Sequence, residues 1–129
     1  MIIVADTNIL VSGLWKPSGN ASFLLSQILN GSIKLCYDYR IINEYKDVLN
    51  RPKFKFSPSL VNMLLDTIIF DGISVTAYPL SNIIMADEDD RPFYEVAKFC
   101  NVPLVTGNIK HFPADPLIFG LADFCSKYL

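Results

Sequence analysis

The stretch Ile2-Ile3-Val4-Ala5-Asp6-Thr7-Asn8 decides the fold of this chain. Its first four residues form a short apolar run, and their length and β-branching favour a strand buried on both faces, as in a parallel sheet. A carboxylate follows this run at once, at Asp6. Burial of a carboxylate is unfavourable unless the group is paired or bound to a metal. Asp6 is therefore either the N-cap of a following helix or a functional acid.

Short apolar strands and helical segments alternate along the rest of the chain. Further strands are predicted at residues 33–37, 73–77, 102–105 and 116–119, and helices at residues 8–14, 21–29, 39–50, 57–71, 91–100 and at the C-terminus. This alternation predicts an α/β sandwich with a mostly parallel central sheet. Ligands bind beyond the carboxyl ends of the strands in such sheets, and Asp6 and the turn at residues 106–108 are both predicted to lie there.

The composition excludes several classes of protein. The length of 129 residues corresponds to one domain, and 51% hydrophobic and 19% charged residues exclude a disordered chain. The net charge of −2 argues against a general basic coat for nucleic acid, but a local basic patch remains compatible. No apolar stretch of about 18 residues is present, so no membrane span is expected. Three cysteines, odd in number and far apart, predict reduced thiols in a cytoplasmic protein.

Two further acidic features each have a structural and a functional interpretation. Glu44 lies at the edge of the apolar stripe of its predicted helix, where it either pairs with Arg40 or Lys46 or leans into a cleft. The run Asp87–Asp90 precedes a helix with Pro92 in its first turn. Capping and the helix dipole explain one or two of these acids. Four adjacent like charges favour a nearby cation, and the alternative is a solvated loop.

The remaining polar residues favour an oxygen-coordinated metal over zinc. Asn108 follows a predicted strand, either as a turn former or as a neutral oxygen ligand. His111 is the only histidine and has no ligand partner three or four residues away, and the cysteines form no pair. Carboxylate and amide oxygens suit Mg²⁺ or Mn²⁺.

In this order and spacing the segments resemble the PIN domain family, the metal-dependent ribonuclease fold found in many toxins of toxin–antitoxin pairs (the VapC-like ribonucleases). The resemblance covers nearly the whole chain and rests on these segments: Ile3–Asn8, Glu44 with Val48-Leu49, Arg51–Phe54, Asp89–Ala97, and Val105–Asn108 followed by Lys110-His111-Phe112. It implies one PIN-like domain over residues 1–129, built as a three-layer sandwich. Asn108 stands where many members have a fourth aspartate.

The resemblance implies an endoribonuclease that hydrolyses RNA phosphodiester bonds with Mg²⁺ or Mn²⁺. Metal ligands would be Asp6, Glu44 and Asp90, and Asn108 would join them in catalysis with a neutral oxygen or by positioning water. Asn8 and Thr106 would orient the carboxylates or a substrate phosphate. The implied partners are RNA, a cognate antitoxin and a second copy in a homodimer, in the cytoplasm. A weakly active or inactive PIN-like module that binds RNA or protein is the alternative.

An acidic cleft repels RNA, so binding requires basic residues nearby. Arg51, Lys53 and Lys55 are candidates because they alternate with Phe54 and Phe56, the mixture that contacts phosphates and stacks on bases. Lys110 is a weaker candidate. The alternative is a solvated connector whose phenylalanines belong to the core.

Overall fold

A computed structural model describes residues 1–129, with six α-helices around a five-stranded sheet. The strands are β1 (Ile2–Ala5), β2 (Lys34–Tyr37), β3 (Ile73–Ser74), β4 (Leu104–Thr106) and β5 (Ile118–Gly120). The helices are α1 (Thr7–Trp15), α2 (Asn20–Leu29), α3 (Tyr39–Leu49), α4 (Pro58–Asp71), α5 (Arg91–Cys100) and α6 (Leu121–Tyr128). Short 3-10 turns lie at Pro52–Phe54, Glu88–Asp90 and Ile109–His111.

All five strands run parallel, in the order β3-β2-β1-β4-β5. β1 is central, since Ile3 pairs with Leu35 of β2 and Ala5 pairs with Val105 of β4. Ile3, Val4 and Ala5 have no exposed surface, as the apolar run predicted for a strand covered on both faces. The predicted three-layer α/β sandwich is confirmed, and its sheet is wholly parallel.

Helix α5 packs on β1 and β2 through an apolar face. Phe93, Val96 and Ala97 are buried on this face, as their helical period predicted. Tyr94 and Glu95 are also buried, although the period left them outside the stripe. Both have polar partners that only the tertiary fold supplies.

The strand boundaries differ most at the edges of the sheet. β3 covers two residues instead of the five predicted, although the Val75 N–H still donates to the carbonyl of Tyr37 at 2.9 Å. The chain after β3 is held by side chains instead of a strand ladder. The guanidinium of Arg91 donates to the carbonyls of Leu80 and Ile83, each at 2.7 Å.

The prediction of three reduced thiols is wrong for two of them. The structure joins Cys36 of β2 to Cys100 at the end of α5 in a disulfide, and Cys125 alone is free. The two cysteines are 64 residues apart, and they meet because α5 packs against β2. Spacing along the sequence carries no sign of that packing. None of the helices has the length and apolar character that crossing a membrane requires.

Candidate active site

Asp6 lies where β1 ends and α1 begins, at the carboxyl end of the central strand. Its backbone N–H donates to the carbonyl of Val105 at 3.0 Å, which fixes Asp6 beside β4. The residue is 5% exposed. It occupies the N-cap position of α1, but its carboxylate makes no cap hydrogen bond. Instead Oδ2 accepts a hydrogen bond of 2.8 Å from the hydroxyl of Thr106.

Helix α3 brings Glu44 to the first turn of α1. The neighbouring residue Tyr45 is fully buried, and its hydroxyl donates to the carbonyl of Ala5 at 2.6 Å, which ties α3 to the end of β1. Half-buried Glu44 then accepts a hydrogen bond at Oε2 from the hydroxyl of Thr7. Glu44 pairs with neither Arg40 nor Lys46, so the structural alternative for this residue is not what the structure shows.

The orienting hydroxyls are those of Thr7 and Thr106. The hydrogen bond from Thr106 to Asp6 is compatible with the predicted orienting role of Thr106, which stays a prediction, whereas Thr7 was not among the predicted residues. The exposed side chain of Asn8 bonds to neither carboxylate, so its orienting role and its contact with a substrate phosphate stay predictions. Thr7 adjoins Asp6 in the sequence, but only the packing of α3 on α1 shows that its hydroxyl meets Glu44.

The four acids of the run Asp87–Asp90 have different roles in the structure. The side chain of Asp87 caps the short turn by accepting the backbone N–H of Asp89, whose own side chain is exposed. Exposed Glu88 pairs with the guanidinium of Arg91. Asp90 makes no cap hydrogen bond with α5, although it occupies the N-cap position. Its side chain is 15% exposed and lies against the histidine of the next turn. Capping therefore accounts for Asp87 and leaves Asp90 for another role.

A chain of polar contacts runs from the end of β4 to Asp90. The Thr106 hydroxyl accepts the N–H of Asn108 at 3.0 Å. The Asn108 side-chain nitrogen lies 2.9 Å from Nε2 of His111, and Nδ1 of His111 lies 3.1 Å from Oδ2 of Asp90. His111 was not predicted as a site residue. Its position just beyond β4, at the same sheet edge as Asp6, is the feature of the sequence that could have identified it.

The carboxylates of Asp6, Glu44 and Asp90, here called the acidic cleft, all have raised pKa values. Burial raises the pKa of Asp6, and the hydrogen bond from the Thr106 hydroxyl and the backbone N–H groups of Thr7 and Asn8 oppose that shift. Burial raises the pKa of Glu44, and the charges of Asp6 and Asp90 raise it further. Burial and the charge of Asp6 also raise the pKa of Asp90, against the hydrogen bond from His111. Negative charge is therefore unfavourable in this cleft.

No lysine or arginine pairs with any of these three acids, and His111 is the one basic side chain that contacts them. The group whose ligand atoms all lie within 4.8 Å of one another is Asp87, Asp90 and His111, which includes neither Asp6 nor Glu44; these two acids are linked to Asp90 by their effects on pKa. Carboxylates without a protein cation, held by hydroxyl groups, form a donor set that fits a divalent ion.

An aromatic cluster of Trp15, Phe54 and Phe56 lies at the far end of α1. The rings of Phe54 and Phe56 stack at 5.3 Å, and Trp15 packs edge-on against them at 5.5 and 6.2 Å. Trp15 is 56% exposed. Phe54 and Phe56 are half-buried, so they are neither wholly core residues nor wholly solvated. The nine residues of α1 put this cluster about 12 Å from Thr7 along the helix axis.

The predicted basic contacts lie around this cluster and beside the cleft. Arg51, Lys53 and Lys55 are exposed on the connector after α3, and none of them pairs with the acidic cleft. Nζ of Lys53 lies 5.1 Å from the centre of the Phe54 ring. Lys110 is exposed on the turn that carries His111.

Comparison with known proteins gives one match. A family model described as PIN domain matches residues 2–110. No curated protein and no solved structure matches the chain. The matched range contains Asp6, Glu44, Asp90 and Asn108, and it ends one residue before His111.

Proposed function

The chain belongs to the PIN domain family, and on that premise we propose that it is a metal-dependent endoribonuclease. The family assigns a nuclease-type fold to it. The observation that carries the finer proposal is the acidic cleft: burial raises the pKa of Asp6, Glu44 and Asp90, the charge of Asp6 raises the pKa of the other two further, and none of the three has a lysine or arginine partner. A bound Mg²⁺ or Mn²⁺ relieves that repulsion.

The three carboxylates would hold the ion at the carboxyl end of β1. When bound, the ion activates a water and stabilises the charge that develops on the phosphate during hydrolysis. Thr106 donates a hydrogen bond to one oxygen of Asp6, and Thr7 donates one to Glu44. These bonds fix the rotamers of the two carboxylates. Metal-binding carboxylates gain affinity when they are oriented in this way before the ion binds.

RNA binding requires positive charge because the cleft itself repels phosphates. We assign this role to the exposed side chains of Arg51, Lys53, Lys55 and Lys110, with the aromatic cluster as a platform for unpaired bases. A single-stranded substrate fits this arrangement, since bases stack on exposed rings only when they are unpaired. A separation of about 12 Å along α1 allows a few nucleotides between the cluster and the cleft.

The cellular role that we propose is the toxin of a toxin–antitoxin pair in the cytoplasm, active as a homodimer and inhibited by a cognate antitoxin. Exposed apolar side chains on α2 and α4, which contact each other, support contact with another protein. Phe23 of α2 and Met63 of α4 are each 49% exposed, and Phe70 of α4 is 90% exposed. A small gene next to this one that encodes a DNA-binding protein would support the pairing.

A cleavage assay tests the enzyme proposal. Tag-free protein is incubated with an end-labelled single-stranded RNA in Mn²⁺, in Mg²⁺ and in chelator. We expect cleavage only with metal and none by Asp6→Asn. Cleavage that persists in chelator or in Asp6→Asn contradicts the proposal.

One observation favours a second function, a PIN-like module that binds RNA or protein with little or no cleavage. Asn108 stands where many family members have a fourth acid, and an amide carries no charge to the metal. Shifts in RNA mobility without cleavage at saturating Mn²⁺ would support the module over the enzyme.

A further inference from the structure

The only histidine of the chain lies against a carboxylate of the acidic cleft. His111 ends the turn after β4, and its Nδ1 is 3.1 Å from Oδ2 of Asp90. A ligand atom of Asp87 completes a group whose members are all within 4.8 Å of one another. The family match ends at residue 110, so it assigns no role to this histidine.

The separation of Nδ1 and Oδ2 suits two ligands of one metal ion. Octahedral ions with bonds near 2.1 Å keep neighbouring ligand atoms about 3.0 Å apart. Without an ion, Nδ1–H donates a hydrogen bond to Oδ2, so an ion would replace that proton with little movement of either side chain. Binding does require that the proton of the neutral imidazole sits on Nε2, which leaves a lone pair on Nδ1.

Asn108 would fix that tautomer once its amide is turned, because in this structure its nitrogen faces Nε2 and favours the proton on Nδ1. Its side-chain amide lies 2.9 Å from Nε2 of His111, and its backbone N–H is held by the hydroxyl of Thr106. A half-turn of the amide about Cβ–Cγ presents Oδ1 to Nε2, so that the imidazole donates to Asn108. Metal-binding histidines donate their other N–H to an oxygen in the same way, and this orients the ring.

We propose that His111 is a nitrogen ligand of the metal site, beside Asp90, and that the site therefore prefers a first-row transition ion such as Mn²⁺ to Mg²⁺. Imidazole nitrogen binds transition ions, whereas Mg²⁺ takes oxygen ligands and retains its waters. This inference rests on the proposed function, since it concerns the same metal site.

Pulsed electron paramagnetic resonance of bound Mn²⁺ tests the ligand directly. The protein is prepared without a histidine tag, once with natural nitrogen and once with ¹⁵N-labelled histidine. Because the chain has a single histidine, the label changes His111 and no other residue. We expect ¹⁴N modulation from a coordinated imidazole in the first sample and its replacement by ¹⁵N modulation in the second. The labelled sample is a control that changes no atom of the fold.

Calorimetry with the metal ions alone tests the selectivity. His111→Gln keeps a polar side chain but removes the imidazole nitrogen, so Mn²⁺ affinity falls by about 10–100-fold while Mg²⁺ affinity changes by less than about 3-fold. Mn²⁺ bound without imidazole modulation, or equal losses for both ions, overturns the inference and leaves the nuclease proposal standing. Failure of the unsubstituted protein to bind Mn²⁺ overturns both.

Discussion

Asp6 and Asp38 have the same position in the fold but different surroundings. They follow the neighbouring strands β1 and β2, each precedes a helix, and they are 5% and 3% exposed. Asp38 caps α3 through the N–H groups of Arg40 and Ile41, and its other oxygen pairs with the guanidinium of Arg40 at 2.7 Å. Asp6 has no cap hydrogen bond and no basic partner. Burial at a strand end is therefore common to both acids, and the missing cation distinguishes Asp6.

The contrast extends to the groups around each aspartate. Arg40 also pairs with buried Glu95 at 2.8 Å, and Glu95 accepts the N–H of Leu80 at 2.7 Å. This arginine network of Asp38, Arg40 and Glu95 gives both carboxylates a shared guanidinium partner and joins α3, α5 and the loop at residue 80. The acidic cleft carries three carboxylates and no arginine. The carboxylates of the network thus have a cation within the protein, whereas those of the cleft would receive one only from solution.

The largest effect should separate the two aspartates by activity. Asp6→Asn removes the charge of a proposed metal ligand and should lower RNA cleavage by about 10³-fold, since a catalytic metal supplies several kcal/mol of transition-state stabilisation. Asp38→Asn is the matched control, and its cleavage rate should change by less than about 3-fold at a temperature where it stays folded. Single-turnover cleavage rates check both variants, and similar losses in the two would remove the distinction between the regions.

The arginine network should show the opposite response, in stability. Arg40→Met leaves Asp38 and Glu95 buried without a cation, so the free energy of unfolding should fall by about 3 kcal/mol. Urea denaturation measures this change, and the Mn²⁺ affinity of the folded variant should stay within about 3-fold. A loss of less than about 1 kcal/mol would show that the network is as tolerant of unpaired charge as the cleft.

Neutralising an acid of the cleft should stabilise the metal-free protein. Asp90→Asn removes the repulsion with Asp6 and should raise the unfolding free energy in chelator at pH 7 by about 1 kcal/mol, or the melting temperature by about 4 °C. The pKa of Asp90 is raised in the folded state. Its destabilising effect is therefore present above that folded pKa and is lost as the pH falls through it.

Calorimetric melts from pH 7 to pH 4 should accordingly show the difference between Asp90→Asn and the unsubstituted protein shrinking. Asp89→Asn is the control, because that neighbouring acid is exposed and its charge is screened by solvent. A strongly destabilised Asp90→Asn would instead assign Asp90 a capping role.

Asn108→Asp should produce the smallest effect. Oxygen sites bind divalent ions more tightly as ligand charge increases, so Mn²⁺ affinity should rise by about 10-fold or less if the new carboxylate faces the ion. The added carboxylate also accepts a hydrogen bond from Nε2 of His111. Titration calorimetry of both proteins decides the matter, and unchanged affinity would place Asn108 outside the coordination shell.

The fold and the acids at strand ends could be predicted because they depend on local patterns. The apolar run before Asp6 and the cap at Asp38 are readable within a few residues. The partners of these acids cannot be predicted in this way, because they come from elements that are distant in the sequence. Arg40 reaches Glu95 across 55 positions, and Thr106 reaches Asp6 across 100. The sequence pattern accordingly gave no sign that Arg40 meets Glu95 or that Thr7 meets Glu44.

Predictions also failed where tertiary contact replaces local preference. The Cys36–Cys100 disulfide depends on α5 packing against β2. His111 was set aside because it has no partner three or four residues away, whereas its contact, Asp90, lies 21 residues earlier. Spacing rules for metal ligands identify sites built on one helix or loop, and this cleft draws on four separate segments.

The central claim is that the acidic cleft lacks a protein cation because it binds a metal ion. Thermal unfolding with and without saturating Mn²⁺ is its most direct test. At an ion concentration near 100 times the dissociation constant, binding contributes about 2.7 kcal/mol. The melting temperature of the unsubstituted protein and of Asp38→Asn should therefore rise by on the order of 10 °C. Asp6→Asn should shift by no more than about 2 °C. An equal rise in Asp6→Asn, or no rise in the unsubstituted protein, would contradict the claim.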